Sequence, residues 1–511
     1  MDPMARDHPP GSAAEIARFA QLQRGLAPLF RRIADDPAAP RTVVVVPGLS
    51  MDPAALAKVA GVRHYEERHL AMLMWLRLPA TRVVYVTSEP LDPVVVDYYL
   101  NLLSGVPACH ARARLVLLSA YDASTDSLTR KLLARPRLLA RLRAAIGDPA
   151  QAHLSCFAAT PLERTLAVRL GIPLYACDPA LADLGSKSGS REVFREAGIA
   201  LPDGAERLRD ATDLAHAIAA LKARQPALRR VVTKHEHGFS SEGNAVLDLP
   251  PGEVDAAWVA DALRRDLRCE APGETIAGYL AAFTASGGIA EAWVDGVDKR
   301  SPSVQMRINP LGGLELISTH DQVLGGPSGQ IFIGSSFPAD PAYRASLQQA
   351  GLRVGEVLRR RGVLGRFAVD LVSVRDGPAW RHVAIEINLR KGGTTLPFQM
   401  LQFLTGGTCA DDGSFRTPVG TVRCYHATDN LVRLAYRRLI PEDLVDIVVR
   451  HRLHFDPTTQ QGVVFNLIGA LSEFGKLGLV CIADTPAAAH ALFDRTVAVL
   501  DAEAGVDGAP A

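Results

Sequence analysis

Apolar residues recur near helical spacing at the start of the chain, at Ile16, Phe19, Leu22, Leu26, Leu29 and Phe30. That spacing predicts one amphipathic helix over residues 13–34, packed on the neighbouring domain. The pattern then changes to short apolar runs that end in polar or turn residues. RTVVVVPGLS (41–50) ends in Pro47-Gly48, as a buried strand entering a loop does. TRVVYVTSEP (81–90) and ARLVLLSAYD (113–122) repeat the design. Helical stretches lie between them. In HYEERHLAMLMWLRL, the residues Met72, Met74 and Trp75 read as core filler rather than a cofactor box. SLTRKLLARPRLLARLRAAIG is interrupted at Pro136 and carries its Lys and Arg on a solvated face. AHLSCFAAT and PLERTLAVRLGIPLYACDPAL continue the strand–helix–strand alternation. Residues 41–184 are therefore expected to form an α/β domain on a parallel sheet, preceded by a helical segment over 1–40.

The rhythm changes near Leu184. GSKSGS opens a helix, REVFREAGI, for which Ser188 or Ser190 is the expected N-cap. Runs at 230–234, 244–249, 288–294, 303–308, 314–318, 366–374 and 382–389 read as antiparallel strands, which predicts an α+β region over 185–410. The segment 411–511 holds two strands around a polar turn, in GVVFNLIGALSEFGKLGLVCIAD, and a helix, TPAAAHALFDRTVAVLDAEA. It reads as a small α/β C-terminal domain.

Composition narrows the function. Hydrophobic residues make up 48% of 511, with mean hydropathy +0.08, enough for a sizeable core. Formal net charge is +1, so there is no broad field for nucleic acid or an anionic membrane. The expected partners are small molecules or peptides, and the chain leaves room for an oligomer. Seven scattered cysteines without a CxxC pair fit a reducing cytosol better than a disulfide framework. The N-terminus shows no apolar signal region, so a cytoplasmic protein is expected.

The chemistry gathers at AIEINLRKGGTT (384–395). In a strand, Glu386, Asn388 and Arg390 share one face, with Ile385, Ile387 and Leu389 on the other. The preceding run, GRFAVDLVSV, places Asp370 opposite in direction to Phe367, Val369 and Leu371. RDGPAW between them is a turn, and a hairpin symmetric about Pro378 opposes Asp370 to Glu386, with Asn388 diagonal. Two carboxylates about 5 Å apart repel by about 3 kcal/mol at an effective dielectric near 20. Either one is protonated, or a cation sits between them, and magnesium suits two carboxylates, an amide oxygen and phosphates. A solvent-facing hairpin with a slipped register is the bland alternative.

Other segments allow a phosphate site without requiring one. RRVVTKHEHGFSSEGNAVLDL (229–249) places Lys234 before a loop with Gly238, Ser240, Ser241, Gly243 and Asn244. Such a loop offers N–H groups to phosphate, or is simply flexible. It is not a Walker A sequence. His235 and His237 are expected to be solvated. Lys187 at a helix start suits an anion, or belongs to an ordinary capped helix. Lys299, Arg300 and Arg307 are clamps or solvated charge.

The combination resembles the ATP-grasp superfamily, in its peptide-ligase branch of the pheganomycin type. The matching stretches are GSKSGSREVFREAG, VVTKHEHGFSSEGNA, SPSVQM, STHDQVLGG, GRFAVDLV, IEINLRKGGTT and YHATDN, and the similarity covers most of 80–500. The resemblance implies an ATP-grasp fold preceded by a parallel-sheet pre-ATP-grasp domain and followed by a dedicated C-terminal domain. It implies ATP as co-substrate, with Lys187 and Lys234 on the α- and β-phosphates and residues 238–243 as a flap. Glu291, Ala292, Trp293 and Val294 would receive adenine. Asp370, Glu386 and Asn388 would hold one or two Mg²⁺ ions, or Mn²⁺. Arg390, Gly392, Gly393 and Thr394 would meet the γ-phosphate and the acyl group, with Arg390, Lys234 and Arg307 taken as catalytic. Where the family pattern suggests a His after GGTT, this chain has Leu396, which bears on substrate choice or rate.

The implied reaction joins an amino-acid or peptide carboxylate to an amine-bearing acceptor. γ-Phosphoryl transfer gives an acyl phosphate, the amine attacks, and ADP and phosphate are released. Two rival readings stay open: an ATP-grasp enzyme with another acceptor, or one phosphorylating its substrate, and a nucleotide-binding regulatory module without catalysis.

Overall fold

The computed structural model describes residues 8–50, 56, 59–238, 243–271, 273–325 and 329–506. The four apolar runs of the N-terminal third form a parallel sheet. Its strands are β1 (Arg41–Val46), β2 (Thr81–Thr87), β3 (Leu115–Ser119) and β4 (Ala152–Cys156), in the order β3-β2-β1-β4. β1 is buried along its whole length, as an interior strand covered on both faces must be. Val44, Val46 and Leu154 pack beside Leu128, Leu142 and Leu166 from the flanking helices. Val43 and Val45 point the other way, into a core that also takes Phe465 and Val480 near the C-terminus.

Three details differ from the sequence reading. The first helical segment is two helices, Ala13–Gln23 and Leu26–Asp35, because the chain breaks at Arg24-Gly25. Pro136 does not interrupt a helix; it begins Pro136–Ile146 after Leu128–Leu133 has ended, where its missing N–H costs nothing. The apolar run after Gly171 makes only an isolated bridge, Leu154 with Leu174. Met72 and Met74 are core residues as expected, on a 3₁₀ segment, Val62–Arg77.

A five-stranded antiparallel sheet follows: β5 (Gly204–Leu208), β6 (Arg230–His235), β7 (Asn244–Asp248), β8 (Arg268–Cys269) and β9 (Gly288–Ala292). Its order is β5-β9-β6-β7-β8, and Val231, Leu247 and Ala290 pack under Leu214, Ile218, Val259 and Phe283. The helix Lys187–Glu196 precedes it. Ser186, not Ser188 or Ser190, is its N-cap, accepting from the Gly189 N–H at 3.0 Å. Ser188 and Ser190 instead tie the helix to its neighbours.

The largest sheet begins with β10 (Lys299–Arg300), β11 (Pro302–Ile308), β12 (Leu314–Gly325), β13 (Ile331–Phe337), β14 (Gly365–Asp376) and β15 (Ala379–Asn388). After a small hairpin, β16 (Thr408–Cys409) with β17 (Phe415–Arg416), it continues through β18 (Cys424–Val432), β19 (Gly462–Asn466) and β20 (Lys476–Ala483). The order is β10-β14-β11-β12-β13-β18-β20-β19, with β15 also on β14. One sheet thus runs across residue 410. The polar turn between β19 and β20 contains a short helix, Ala470–Phe474. β5, β13, β18 and the two-residue strands β8, β10, β16 and β17 lie outside the predicted runs, and β12 is longer than 314–318. Among the described residues no helix is long and apolar enough to cross a membrane.

Candidate functional site

Strand register builds the site in rows. β11 and β14 pair Ser303 with Asp370, Gln305 with Ala368 and Arg307 with Arg366. β14 and β15 pair Asp370 with Glu386 and Ala368 with Asn388. The first row therefore carries the two acids, the second the amides of Gln305 and Asn388, and the third Arg307 and Arg366. Arg390 follows Asn388 by two residues. Each row lies about 7 Å from the next.

The opposed pair depends on a bulge. Around the turn, Asp376 pairs with Ala379 and Leu371 with Ala384; the register then shifts, and Asp370 pairs with Glu386. Ile385 is the extra residue. It lines the cleft beside Glu386 rather than pointing into the core with Ile387.

Asp370 Oδ1 accepts from Gln322 Nε2 at 3.0 Å and Oδ2 from Asn388 Nδ2 at 2.9 Å. Burial, then repulsion from Glu386, pushes the Asp370 carboxyl up to about 6. Burial alone would push Glu386 up as well, but Lys187, then Arg390 and Lys234, outweigh it and bring the group below the usual range. Lys187 Nζ is 2.6 Å from Glu386 Oε2. At this row one acid is thus biased toward its neutral form and the other is held ionised.

Lys187 is the first residue of its helix, and its side chain is buried. The helix start is fixed by Glu236, whose carboxylate accepts from Ser188 N at 2.7 Å and Ser188 Oγ at 2.6 Å. Ser190 Oγ accepts from Ile387 N at 3.1 Å, which docks the helix on β15. Lys234, at the end of β6, reaches across to β9, where its Nζ donates to Glu291 Oε2 at 2.6 Å. Arg191 Nη1 donates to the other oxygen at 2.5 Å. Neither Lys187 nor Lys234 is solvated: both are buried and held by carboxylates.

A cleft of about 170 Å³ collects these groups, with Lys234, Asn244, Glu291, Ala292, Trp293, Val294, Asp370 and Glu386 among its walls. Two cations lie over the Trp293 ring, Lys299 Nζ at 4.5 Å from its centre and the Arg230 guanidinium at 5.0 Å. β9 ends at Ala292, so Trp293 and Val294 lie beyond it. Asn244 donates to Gln330 at 3.2 Å. Gly238 and Gly243 face each other across the stem of their loop; Ser240 and Ser241 lie outside the described residues. His237 is exposed as expected, but His235 is not solvated: it stacks on Tyr279 at 4.3 Å. Gln322 and Arg230 escaped the sequence reading as members of this site, whereas Lys299, named there as a clamp or solvated charge, lines the cleft; alternation along β12 was the one signal for Gln322.

Past the amide row, Thr394 Oγ1 accepts from Gln305 Nε2 at 2.7 Å and Gly392 N donates to Thr395 Oγ1 at 2.9 Å. Gly393 lies so close to Phe332 that a Cβ there would stand 2.6 Å from the ring. Leu396 is buried in the large core on the helix Thr395–Thr405. Arg390 stacks on Phe157, 5.5 Å from the ring centre. Arg307 is not brought into the cleft. It donates to Glu315 at 2.8 Å and lines a second cavity, with Arg366, Arg390 and Lys391. Arg300 pairs with Asp298 at 2.9 Å on the surface.

Residues 270–411 match the family described as IQCH-like, ATP-grasp, and 443–496 match the PGM1 C-terminal domain. The chain is 32% identical over 443 residues to the L-propargylglycine–L-glutamate ligase of Streptantibioticus cattleyicolor, covering 85% of this chain and 89% of that protein. It is 24% identical over 445 residues to IQ motif-containing protein H of Danio rerio, and spans 41% of that longer relative. Among solved structures, an ADP complex of N5-carboxyaminoimidazole ribonucleotide synthetase superposes with a TM-score of 0.52 at 14% identity, covering 90% of this chain and 97% of that one. The Aspergillus clavatus N5-carboxyaminoimidazole synthase, with ADP and 5-aminoimidazole ribonucleotide, gives 0.51 at 13%, covering 91% and 100%. Likeness at such identities shows a shared fold.

Proposed function

The chain belongs to the ATP-grasp superfamily, among its peptide ligases, and from that premise we propose how its cleft works. The protein is an ADP-forming carboxylate–amine ligase. A carboxylate oxygen is a poor leaving group, so the acid is first converted to an acyl phosphate with ATP. The amine then attacks the carbonyl carbon, phosphate leaves, and an amide is formed. The observation that carries the reading is the row Asp370–Glu386 with Lys187 and Lys234 in reach of the same cleft.

Lys187 and Lys234 would exchange their carboxylate partners for the α- and β-phosphates, and the loop 238–243 would close over them and keep water from the acyl phosphate. The Glu291–Val294 segment would take adenine, with Trp293 beside its two cations. Arg390, with Gly392, Gly393 and Thr394, would orient the γ-phosphate and the acyl group. Arg307, standing two rows away, is better placed to hold substrate than to touch the transferring group.

Magnesium fits the donor set. Two opposed carboxylates and the Asn388 amide offer hard oxygen ligands, and a cation there would relieve the burial and the Glu386 repulsion that together raise the Asp370 carboxyl. Among the described residues no cluster of three His, Cys, Asp or Glu side chains forms a closed cage, so waters and phosphates would complete the shell. One or two Mg²⁺ ions held by Asp370, Glu386 and Asn388 would supply charge neutralisation to the phosphates.

We read residues 41–184 as the pre-ATP-grasp unit, 185–410 as the nucleotide-binding unit and 411–511 as the C-terminal unit, behind the helical segment 1–40. The substrates would be an amino-acid or peptide carboxylate and an amine-bearing acceptor, joined in a reducing cytoplasm that suits seven unpaired cysteines. The test is ADP release with Mg²⁺ over amino acids and short peptides, with mass spectrometry of the products. A hydroxamate should form when hydroxylamine replaces the amine. ADP with a phosphorylated product and no amide would overturn the reading.

A further inference from the structure

The second cavity, of about 150 Å³, begins where Arg390 ends the row pattern. It is lined by the third row, Arg307 and Arg366, and by apolar side chains that include Phe30 and Ile33 of the helix Leu26–Asp35 and Trp75. Among the described residues that line it, five are Arg or Lys and none is Asp or Glu. Four of the five cations have visible occupations, Arg41 among them, which donates to Pro37 O at 2.6 Å and lies over the Trp75 ring. Arg307 is paired with Glu315, Lys391 donates to Ser155 Oγ and Cys156 O at 2.7 Å each, and Arg390 stacks on Phe157. Arg366 is different: its Nη1 is buried and makes no hydrogen bond, while Arg307 lies next to it as a like charge. Burial, then Arg307, brings the Arg366 guanidinium down to about 10. A buried donor on a cation without an acceptor is costly unless a ligand supplies one.

The rows set the geometry of that ligand. Arg366 lies one row, about 7 Å, from the amides where Asn388 and Gln305 stand, which is the reach of a short dicarboxylic acid. We propose that the acid substrate of this ligase carries a second anionic group, and that Arg366 and Arg307 hold it while the reacting carboxylate lies beside Arg390. The assignment rests on the ligase reading for which carboxylate reacts. The binding of a diacid at Arg366 is separable from it.

The test uses the full chain with ATP, Mg²⁺ and hydroxylamine as acceptor, and compares L-glutamate and L-aspartate with L-norvaline, which has the chain length of glutamate but a methyl in place of the second carboxylate. ADP release and calorimetric binding are both read. The diacids should bind and support ADP release, and L-norvaline should not. Arg366→Gln should lower kcat/KM for the diacid by roughly ten- to a hundred-fold, leave the KM for ATP within about twofold, and be partly rescued by Arg366→Lys. Ile33→Trp, which fills the cavity from its apolar wall, should raise the KM for the diacid alone and serves if the arginine variant fails to fold. Equal use of L-norvaline, or an Arg366→Gln variant that handles the diacid as the wild type does, overturns the inference while the ligase reading stands. Diacid binding that is lost in Arg366→Gln, without ADP formation from any acid, upholds the inference and removes the ligase reading.

Discussion

Asp370 faces Glu386 only because Ile385 is squeezed out of the ladder between them and the turn. Continued from Asp376 and Ala379, an unbroken register would set Asp370 against Ile385 and turn Glu386 toward the core beside Val369. The bulge moves one carboxylate from an apolar face to the cleft, against a like charge. Opposed acids destabilise a strand pair, so the arrangement is a cost carried by the surrounding fold, offset in part by Lys187.

Loss of Lys234 should be felt twice. Glu291 is 2% exposed and would keep only Arg191 as a partner. Lys234→Ala should destabilise the protein by about 1.5–3 kcal/mol, the worth of one hydrogen bond to a charged group, seen in urea unfolding, and should raise the KM for ATP by roughly tenfold or more.

Gly393→Ala tests the tightness of the loop after Arg390. Its Cβ would stand 2.6 Å from the Phe332 ring, so the loop must shift, at about 1–3 kcal/mol. Turnover should fall with it. Phe332→Leu in the same chain should restore much of both, giving a positive coupling in a double-mutant cycle.

A pH dependence should trace to Glu66, which does not line the cleft. Burial pushes this carboxyl from 4.5 up to about 7, although Ser88 N and Oγ donate to it at 2.5 and 2.7 Å. The folded protein therefore holds the proton more tightly than the unfolded chain. The associated stability is complete below about pH 4.5 and is lost as pH rises to about 7, by about 3 kcal/mol. Glu66→Gln should remove that slope. The difference between the two Tm profiles across pH 4.5–7 checks the sign.

The sequence reading reached the rows because alternation in GRFAVDLV and AIEIN is regular enough to place Asp370, Glu386 and Asn388 on one side. Its symmetric hairpin opposed the right pair for an incomplete reason. The turn is centred half a residue earlier, and Ile385 makes up the difference; nothing marks an isoleucine in a strand as the extra residue. Lys187 and Lys234 were legible from their loops and the resemblance. That carboxylates hold both was not, since Glu291 and Glu386 meet them only after packing. Arg307 was misplaced because its distance from Asp370 depends on register with β14, four residues along the strand. His235 lacked any sequence sign of Tyr279, on a helix that folds back over β6. The strands β13 and β18 were missed because IFIGSSF and CYHATDNLV carry polar residues and a glycine without clean alternation.

The central claim is that Asp370 and Glu386 together serve a divalent cation beneath ATP. Glu386→Gln tests it most directly, because the amide keeps the shape, can still accept from Lys187, and removes one charge. Mg²⁺-dependent ADP formation should fall to background, and Mn²⁺ titrated in the presence of ATP should lose its site by electron paramagnetic resonance, with the circular dichroism spectrum unchanged. A folded Glu386→Gln protein that binds Mn²⁺–ATP and releases ADP as fast as the wild type would contradict the account.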